Sequence, residues 1–321
     1  MTGIIAMAVL SSAAFANTIV PETSRDGKTK NSSVIATTGE MRTFVAGEYN
    51  SKTTEADTAG APEVDTTNMN VYGAWSNKMI SVEADINMGE NADTDNDSYG
   101  VQAAYRINKQ FAVGLGYTMM SQDTASDDEQ TKLEIAGSYN MNDLVIGASF
   151  AINSEEDNAG TDGSFNTLTV GVGSNANNMS WEAGLTYTME EDDAANGMDV
   201  GSKFELFAGM TKVVNNIELD GDLSYTTGDA SATAGGDYTN LELNFDAEFL
   251  VGKMFYITPG LNYSSEDVAG SETNQLDLSA DFGYRANKID ATFGIDYAVM
   301  AEENNVDFDS MAWKVNVAYN F

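Results

Sequence analysis

The sequence predicts an all-β fold: a transmembrane antiparallel up-and-down β-barrel of about 16 strands, with short periplasmic turns and acidic extracellular loops. Three observations predict it. Apolar and polar residues alternate in sixteen runs, the breaks between runs are alternately tight and long, and the last run ends on Phe321. Strict alternation indicates a strand with one apolar face, and runs of about ten residues fit tilted strands that cross a bilayer.

The strands are predicted in order from these runs. They lie near residues 39–51, 67–77, 79–89, 98–107, 111–121, 131–140, 144–153, 164–174, 179–189, 201–211, 216–227, 239–250, 254–264, 274–285, 289–299 and 311–321. The tight breaks, such as 175–178 and 285–288, carry the Asn typical of hairpin turns. The other breaks are acidic and are predicted as loops: 52–66, 90–97, 121–130, 154–163, 190–200, 228–238, 265–273 and 300–309.

Three segments divide the chain. Residues 1–16 hold a short apolar run that ends in Ala14-Phe15-Ala16, which is typical of a cleaved signal peptide. Residues 17–38 are predicted as an N-terminal periplasmic segment, which either stays outside the barrel or reaches into its lumen through Arg25, Lys28 and Lys30. Residues 39–321 form the predicted barrel.

Tyrosines recur just before the acidic loops, at the spacing of successive hairpins. These residues are predicted to form an aromatic girdle at the headgroup level: Tyr117, Tyr187, Tyr225, Tyr263 and Tyr297. The alternative is a soluble β-sandwich with core aromatics, which does not require aromatic residues at both ends of matched strands.

Composition excludes several function classes. Fifty acidic residues face 15 basic ones, and the formal net charge of −35 excludes a nucleic-acid binder that works through a general basic surface. The chain has no Cys and no His. Ser-His-Asp and Cys-His catalysis and the usual zinc, haem and iron–sulfur sites are therefore excluded. We expect no enzyme and no cofactor.

Charged residues sort onto one face once the apolar face of each strand is placed outward. The acids predicted to line the pore are Glu83, Asp85, Glu134, Glu182, Glu205, Glu218, Asp220, Asp222, Glu242, Asp246, Glu248, Asp277, Asp281, Asp290 and Asp296. The predicted pore-lining bases are Arg42, Arg106, Lys132, Lys203 and Lys314. A barrel of about 16 strands is too wide for side chains to fill, so we expect a water-filled lumen that concentrates cations.

One acidic segment has the opening of a calcium loop. Asp93, Asp95 and Asp97 alternate as in an EF-hand, but the following Gly and the later bidentate Glu are missing. A solvated acidic loop is the simpler interpretation. Weakly bound divalent cations that bridge the acidic loops to lipopolysaccharide are a further alternative.

The chain resembles the Gram-negative outer-membrane porins. The resemblance rests on the Ala14–Ala16 pattern, the sixteen runs, the tyrosine repeat and a C-terminal motif. In that family a terminal Phe preceded by alternating apolar residues is the signal read by the barrel-assembly machinery; here the matching residues are Trp313, Val315, Val317, Tyr319 and Phe321.

The resemblance implies an outer-membrane channel for passive diffusion of small hydrophilic solutes and cations, in contact with lipid and lipopolysaccharide, and in many members a homotrimer. Two family features are missing from the sequence: the long third loop that folds into the barrel, and the arginine cluster at the constriction. The alternative function is a structural or adhesive surface protein whose acidic loops bind cations.

Overall fold

The computed structural model describes residues 43–56, 64–91, 94–122, 128–142, 144–156, 162–176, 179–190, 200–231, 235–286, 288–303 and 306–321. The predicted signal peptide and N-terminal segment lie outside the described residues. In the described part of the chain, no helix is long and apolar enough to cross a membrane.

Within the described residues, sixteen strands form the fold, as predicted. They are β1 (Thr43–Ala56), β2 (Val64–Ser76), β3 (Ile80–Asn91), β4 (Thr94–Arg106), β5 (Phe111–Gln122), β6 (Asp128–Met141), β7 (Leu144–Glu156), β8 (Asp162–Ala176), β9 (Met179–Thr188), β10 (Lys203–Val214), β11 (Ile217–Asp229), β12 (Asp237–Val251), β13 (Phe255–Val268), β14 (Ser271–Ala286), β15 (Ile289–Glu303) and β16 (Val306–Asn320). Each strand pairs antiparallel with the next one along the chain, and the sheet closes into a barrel.

Closure joins the first strand to the last. β1 pairs with β16 from Phe44 opposite Asn320 to Ala56 opposite Phe308. Beyond this ladder, the backbone N–H of Phe321 donates a hydrogen bond of 3.0 Å to the carbonyl oxygen of Thr43. Closure leaves no open sheet edge, which a barrel in lipid requires because hydrocarbon offers no hydrogen-bond partners.

The barrel's two faces differ as the alternation predicts. Large apolar side chains on the outer face are widely exposed, for example Leu115 at 61%, Leu206 at 58% and Ile135 at 58%. A water-soluble protein rarely exposes a continuous apolar surface of this kind. The outer face therefore has the apolar band of a transmembrane barrel.

Asparagines shape the short turns at one end of the barrel. The side-chain Oδ1 of Asn77 accepts hydrogen bonds from the N–H groups of Met79 (2.7 Å) and Ile80 (2.9 Å), and Asn108 repeats this arrangement in the next short turn. Asn142 and Asn215 adopt left-handed backbone conformations in two others. Asn tolerates both roles better than other side chains, so the turn residues were readable in the sequence.

At the other end, the predicted loop lengths are wrong. The predicted loop 90–97 is mostly strand, because β3 runs to Asn91 and β4 begins at Thr94. The predicted loop 265–273 reduces to a turn at Ala269 and Gly270, whose φ angles of 53° and 88° suit a tight hairpin. A polar stretch predicts a loop, but a strand above the lipid needs no apolar face and can continue with polar residues on both sides.

Candidate functional site

The predicted pore-lining residues lie on the inner wall of the barrel. On β10, Glu205 is 5% exposed, whereas its neighbours Phe204 and Leu206 point outward and are 49% and 58% exposed. The same phase places all fifteen predicted acids, and Arg106, Lys132, Lys203 and Lys314, at inward positions of their strands. Arg42 lies outside the described residues.

Inward carboxylates are distributed unevenly around the wall. Strands β9 to β15 carry most of those described: Glu182, Glu205, Glu218, Asp220, Asp222, Glu242, Asp246, Glu248, Glu266, Asp277, Asp281, Asp290 and Asp296. The wall of β1 to β4 is lined largely by amides and hydroxyls instead, such as Asn68, Asn70, Asn87 and Gln102. One arc of the lumen is therefore strongly acidic and the opposite arc is mainly neutral.

Carboxylates face one another directly within the acidic arc. Across β11 and β12, Glu218 is opposite Glu248 and Asp220 is opposite Asp246. Like charges in such cross-strand positions repel. Glu248 is compensated by Arg285, whose Nη2 lies 3.4 Å from its Oε2, whereas the other three acids add negative charge to this part of the wall.

A glycine brings two further carboxylates together. Gly209 of β10 lies between Glu182 of β9 and Asp222 of β11. A Cβ at position 209 would lie 3.4 Å from Oε1 of Glu182 and 2.5 Å from Oδ1 of Asp222. The missing side chain gives both carboxylates room to lean over β10, so the negative charge is continuous across three strands.

Luminal bases are tied to particular partners. Lys132 Nζ lies 3.1 Å from Glu134 Oε2, and Lys314 Nζ lies 3.1 Å from Asp281 Oδ2. Lys203 Nζ sits 3.9 Å from the centre of the Tyr238 ring. Each base offsets an adjacent negative or electron-rich group, which leaves the excess of acids to set the charge of the lumen.

Arg285 belongs to the inner wall, although the sequence places it beside a turn. Its Nε donates a hydrogen bond of 2.7 Å to Asp290, and its guanidinium lies 4.8 Å from the centre of the Tyr256 ring. The sequence does carry a signal for this inward direction. Position 285 lies an even number of residues from Asp281 and Asp277 on the same strand, so its side chain points to the same face.

Several buried aromatic residues also point inward, although the sequence pattern does not predict this direction. They include Phe44, Tyr72, Phe165, Phe207, Tyr238 and Tyr256, each at most 8% exposed. Tyr238 donates a hydrogen bond of 3.0 Å to Glu266. These rings are packed among the side chains of the wall, so they narrow the lumen without lining it as an exposed aromatic track.

The predicted girdle tyrosines all occupy outward positions on their strands. Tyr117, Tyr225 and Tyr297 are 40–49% exposed. Tyr187 stacks on Phe204 of the neighbouring strand, with ring centres 4.5 Å apart. Tyr263 of β13 is also in the outward phase. Their outward direction is compatible with the predicted aromatic girdle, whose place at the headgroup level stays a prediction.

The predicted assembly motif also faces outward. Trp313, Val315, Val317 and Tyr319 alternate with inward residues along β16, and Phe321 follows the strand and is 70% exposed. Trp313 contacts Tyr49 of β1, with ring centres 5.1 Å apart. The motif thus forms an apolar stripe at the seam where the barrel closes.

The candidate calcium ligands do not converge. Asp95 and Asp97 lie on the extended strand β4, and Asp93 lies outside the described residues. Within the described residues, no group of three or more acidic side chains is arranged to hold a metal ion.

Paired carboxylates occur instead at the outer ends of the hairpins. Within the described residues, pairs that face each other directly across adjacent strands include Glu55 and Asp309, Glu90 and Asp95, Glu129 and Glu156, Asp229 and Asp237, Asp267 and Glu272, and Glu302 and Asp307. Each pair places two negative charges within a few ångströms at the surface, which raises the local affinity for cations.

No protein-family model and no curated protein sequence matches this chain. Solved structures do. CdiB from Acinetobacter baumannii is 8% identical with a TM-score of 0.60, covering 86% of this chain and 60% of CdiB. A FadL homologue from Pseudomonas aeruginosa is 7% identical with a TM-score of 0.53, covering 97% of this chain and 98% of the homologue. A BenF-like porin from Pseudomonas fluorescens is 9% identical with a TM-score of 0.51, covering 88% of this chain and 99% of the porin.

The chain has the fold of outer-membrane β-barrels. The predicted resemblance to outer-membrane porins is thereby confirmed at the level of the fold. The chain spans 60% of the length of CdiB but nearly all of the FadL homologue and the BenF-like porin.

Proposed function

We propose that this protein is a channel in the outer membrane of a Gram-negative bacterium, through which small hydrophilic solutes diffuse passively, with a preference for cations. The acidic arc on the inner wall of a closed 16-strand barrel carries this proposal. The fold shared with a BenF-like porin supports a channel in general. In this proposal the barrel needs no catalytic group and no cofactor.

The charge of the wall gives the preference its physical basis. Carboxylates on β9 to β15 outnumber the bases Lys203, Arg285 and Lys314 on the same half of the barrel. Their summed field in a narrow aqueous space bounded by protein and lipid lowers the free energy of cations and raises that of anions. Neutral solutes pass along the amide-lined arc with little electrostatic cost.

Ion selectivity measured in planar bilayers tests the proposal. Under a salt gradient, the reversal potential of the native channel should indicate cation preference. Replacing four luminal acids of β11 and β12 (Glu218→Gln, Asp220→Asn, Asp222→Asn and Asp246→Asn) should lower the cation-to-anion permeability ratio by about twofold or more, because it removes the densest part of the field and leaves the ion pair between Glu248 and Arg285 in place.

A matched control removes four acids outside the lumen: Glu90→Gln, Asp95→Asn, Asp267→Asn and Glu272→Gln. The net charge changes equally, but these residues lie at the outer hairpin ends. Its reversal potential should stay near the native value. Anion preference in the native channel would overturn the proposed selectivity.

Membrane partners follow from the same proposal. The apolar outer face would contact lipid, the acidic hairpin ends would meet lipopolysaccharide, and the stripe from Trp313 to Phe321 would be recognised by the barrel-assembly machinery. A homotrimer would bury part of the outer face. Cross-linking in native membranes tests the oligomeric state.

A second function is favoured by the facing carboxylate pairs at the hairpin ends. A structural or adhesive surface protein could use them to bind cations at the cell surface. Deleting the gene distinguishes the two functions: reduced solute uptake supports the channel, whereas unchanged permeability with a weakened envelope supports the structural role.

A further inference from the structure

The ladder between β12 and β13 is interrupted in the middle of the barrel wall. Asp246 pairs with Gly260 and Phe249 pairs with Ile257 in one continuous register, but within the described residues 235–286 the two pairs between them are missing. Those positions are Ala247 opposite Pro259, and Glu248 opposite Thr258.

Proline explains the gap. Pro259 has no backbone N–H, so it cannot donate the hydrogen bond to β12 that this position requires. Proline is normally confined to edge strands and bulges, yet β13 has a neighbour on each side here. The β12–β13 seam is therefore short of backbone bonding at a height where lipid offers no replacement.

Side chains cross this seam on the luminal side. Nη2 of Arg285, on β14, lies 3.4 Å from Oε2 of Glu248 on β12, so the ion pair spans β13 completely. Between the two, the guanidinium covers the ring of Tyr256 on β13. Glu248 is also the residue whose backbone pair with Thr258 is lost.

Arg285 also binds a residue on its other neighbouring strand, β15. Its Nε donates to Oδ2 of Asp290 on β15 at 2.7 Å. The hydroxyl of Tyr256 donates to Oδ1 of the same carboxylate at 2.7 Å, and the Thr292 hydroxyl lies 2.7 Å from the tyrosine oxygen. Glu248 and Asp290 are almost fully buried. One connected network therefore ties four consecutive strands together beside the gap.

We propose that Arg285 is the latch of the β12–β13 seam: a positioning residue whose bonds to Glu248 and Asp290 replace the backbone bonding that Pro259 removes. When Arg285 loses its bonds to Glu248 and Asp290, β12 and β13 should be the first neighbouring strands of the wall to separate. This inference is independent of the proposed channel function, because it concerns the closure of the barrel rather than what passes through it.

A second luminal ion pair provides a matched control. Lys314 on β16 reaches across Gly294 of β15 to Asp281 on β14, at 3.1 Å. The pairs Asp281–Gly294 and Gly294–Lys314 are both present in the ladders that it spans. Lys314 thus has the geometry of Arg285 without an interrupted ladder beneath it.

Hydrogen exchange in the folded barrel tests the latch. Mass spectrometry would follow peptides covering residues 245–251 and 255–261 in detergent micelles, in native protein and in the variants Arg285→Ala, Pro259→Val and Lys314→Ala. Arg285→Ala should speed exchange in both peptides by about tenfold or more, because bonds to charged groups are lost. Lys314→Ala should leave these peptides unchanged and have a smaller effect on β14 to β16.

The double variant that combines Arg285→Ala with Pro259→Val tests whether the two residues act on the same seam. Pro259→Val restores the N–H with a residue suited to strands, so it should slow exchange at the seam and largely cancel the effect of Arg285→Ala. Equal acceleration by Arg285→Ala with and without Pro259 would overturn the proposal. If Arg285→Ala does not fold, recovery of folding by Pro259→Val supports the latch. If neither variant carrying Arg285→Ala folds, Pro259→Val alone must still slow exchange, and unchanged exchange overturns the proposal.

Discussion

At the scale of single residues, close packing on the inner wall depends on where side chains are missing. Tyr256, 2% exposed, lies over Gly283 on the adjacent strand, and a Cβ at position 283 would overlap its ring. The same ring contacts Arg285 and Asp290. Gly283 therefore allows the aromatic side chain to reach the polar network at the seam.

Gly283→Ala should consequently destabilise the barrel, although alanine is normally the better strand residue. We expect a loss of about 1–3 kcal/mol in the free energy of unfolding, because the added methyl group must displace a packed ring. Urea-induced unfolding in detergent or lipid vesicles would measure it. Gly137→Ala is the control: its Cβ would meet its nearest neighbour only at 3.9 Å, so stability should be unchanged or slightly higher. Equal stability of both variants would contradict the packing argument.

At the scale of strands and hairpins, the sequence predicts where the strands occur better than it predicts how long they are. Alternation located all sixteen strands, because lipid imposes an apolar residue at every second position within the band. Beyond the apolar band that constraint ends, and β3, β4, β13 and β14 continue as strands through polar residues such as Glu90, Asn96 and Glu272. Periodicity carries no information there, so these segments resembled loops.

The same limit applies to the lumen. Acids and bases could be assigned inward, because a charge facing lipid is costly. Tyr238 and Tyr256 are compatible with either face, so their inward direction was visible only through the phase of neighbouring charges. The contact between Arg285 and Glu248 joins strands that are not adjacent, and no local pattern predicts it.

The facing carboxylates at the hairpin ends lead to a prediction on divalent cations. Mg²⁺ or Ca²⁺ should raise thermal stability more than K⁺ does at equal ionic strength, because one divalent ion can bridge two facing carboxylates. At a tenfold excess over the dissociation constant, one occupied site adds about 1.4 kcal/mol. Light-scattering or fluorescence melts with and without a chelator would measure the effect.

Variants that lack two of these facing carboxylate pairs provide the control for the effect of divalent cations. Glu90→Gln with Asp95→Asn, combined with Asp267→Asn and Glu272→Gln, should reduce the response to Mg²⁺ and raise stability in its absence, since two repulsions disappear. An unchanged response would mean that the divalent ions act elsewhere on the barrel.

At the scale of the whole molecule, the strongest long-range requirement is that β16 find β1 across the full chain. Their ladder runs over 13 pairs and ends beside the bond from Phe321 to Thr43. Inside the finished barrel, Phe321 contributes little: it is 70% exposed, and its ring contacts Tyr319 at 5.0 Å. We therefore expect Phe321 to affect the assembly of the barrel more than its conductance or ion selectivity.

Deleting Phe321 should therefore lower the yield of barrel in the outer membrane several-fold, while the barrels that do form keep native conductance and ion selectivity. Heat-modifiable mobility on gels would measure the yield in membranes, and planar bilayers would measure the channel. Truncation leaves the 13 pairs between β1 and β16 intact and removes only one backbone hydrogen bond. Purified chains refolded in vitro, where no assembly machinery is present, should reach nearly the native yield. Normal yield in cells would contradict a role of Phe321 in assembly, and equally poor refolding in vitro would assign the defect to stability instead.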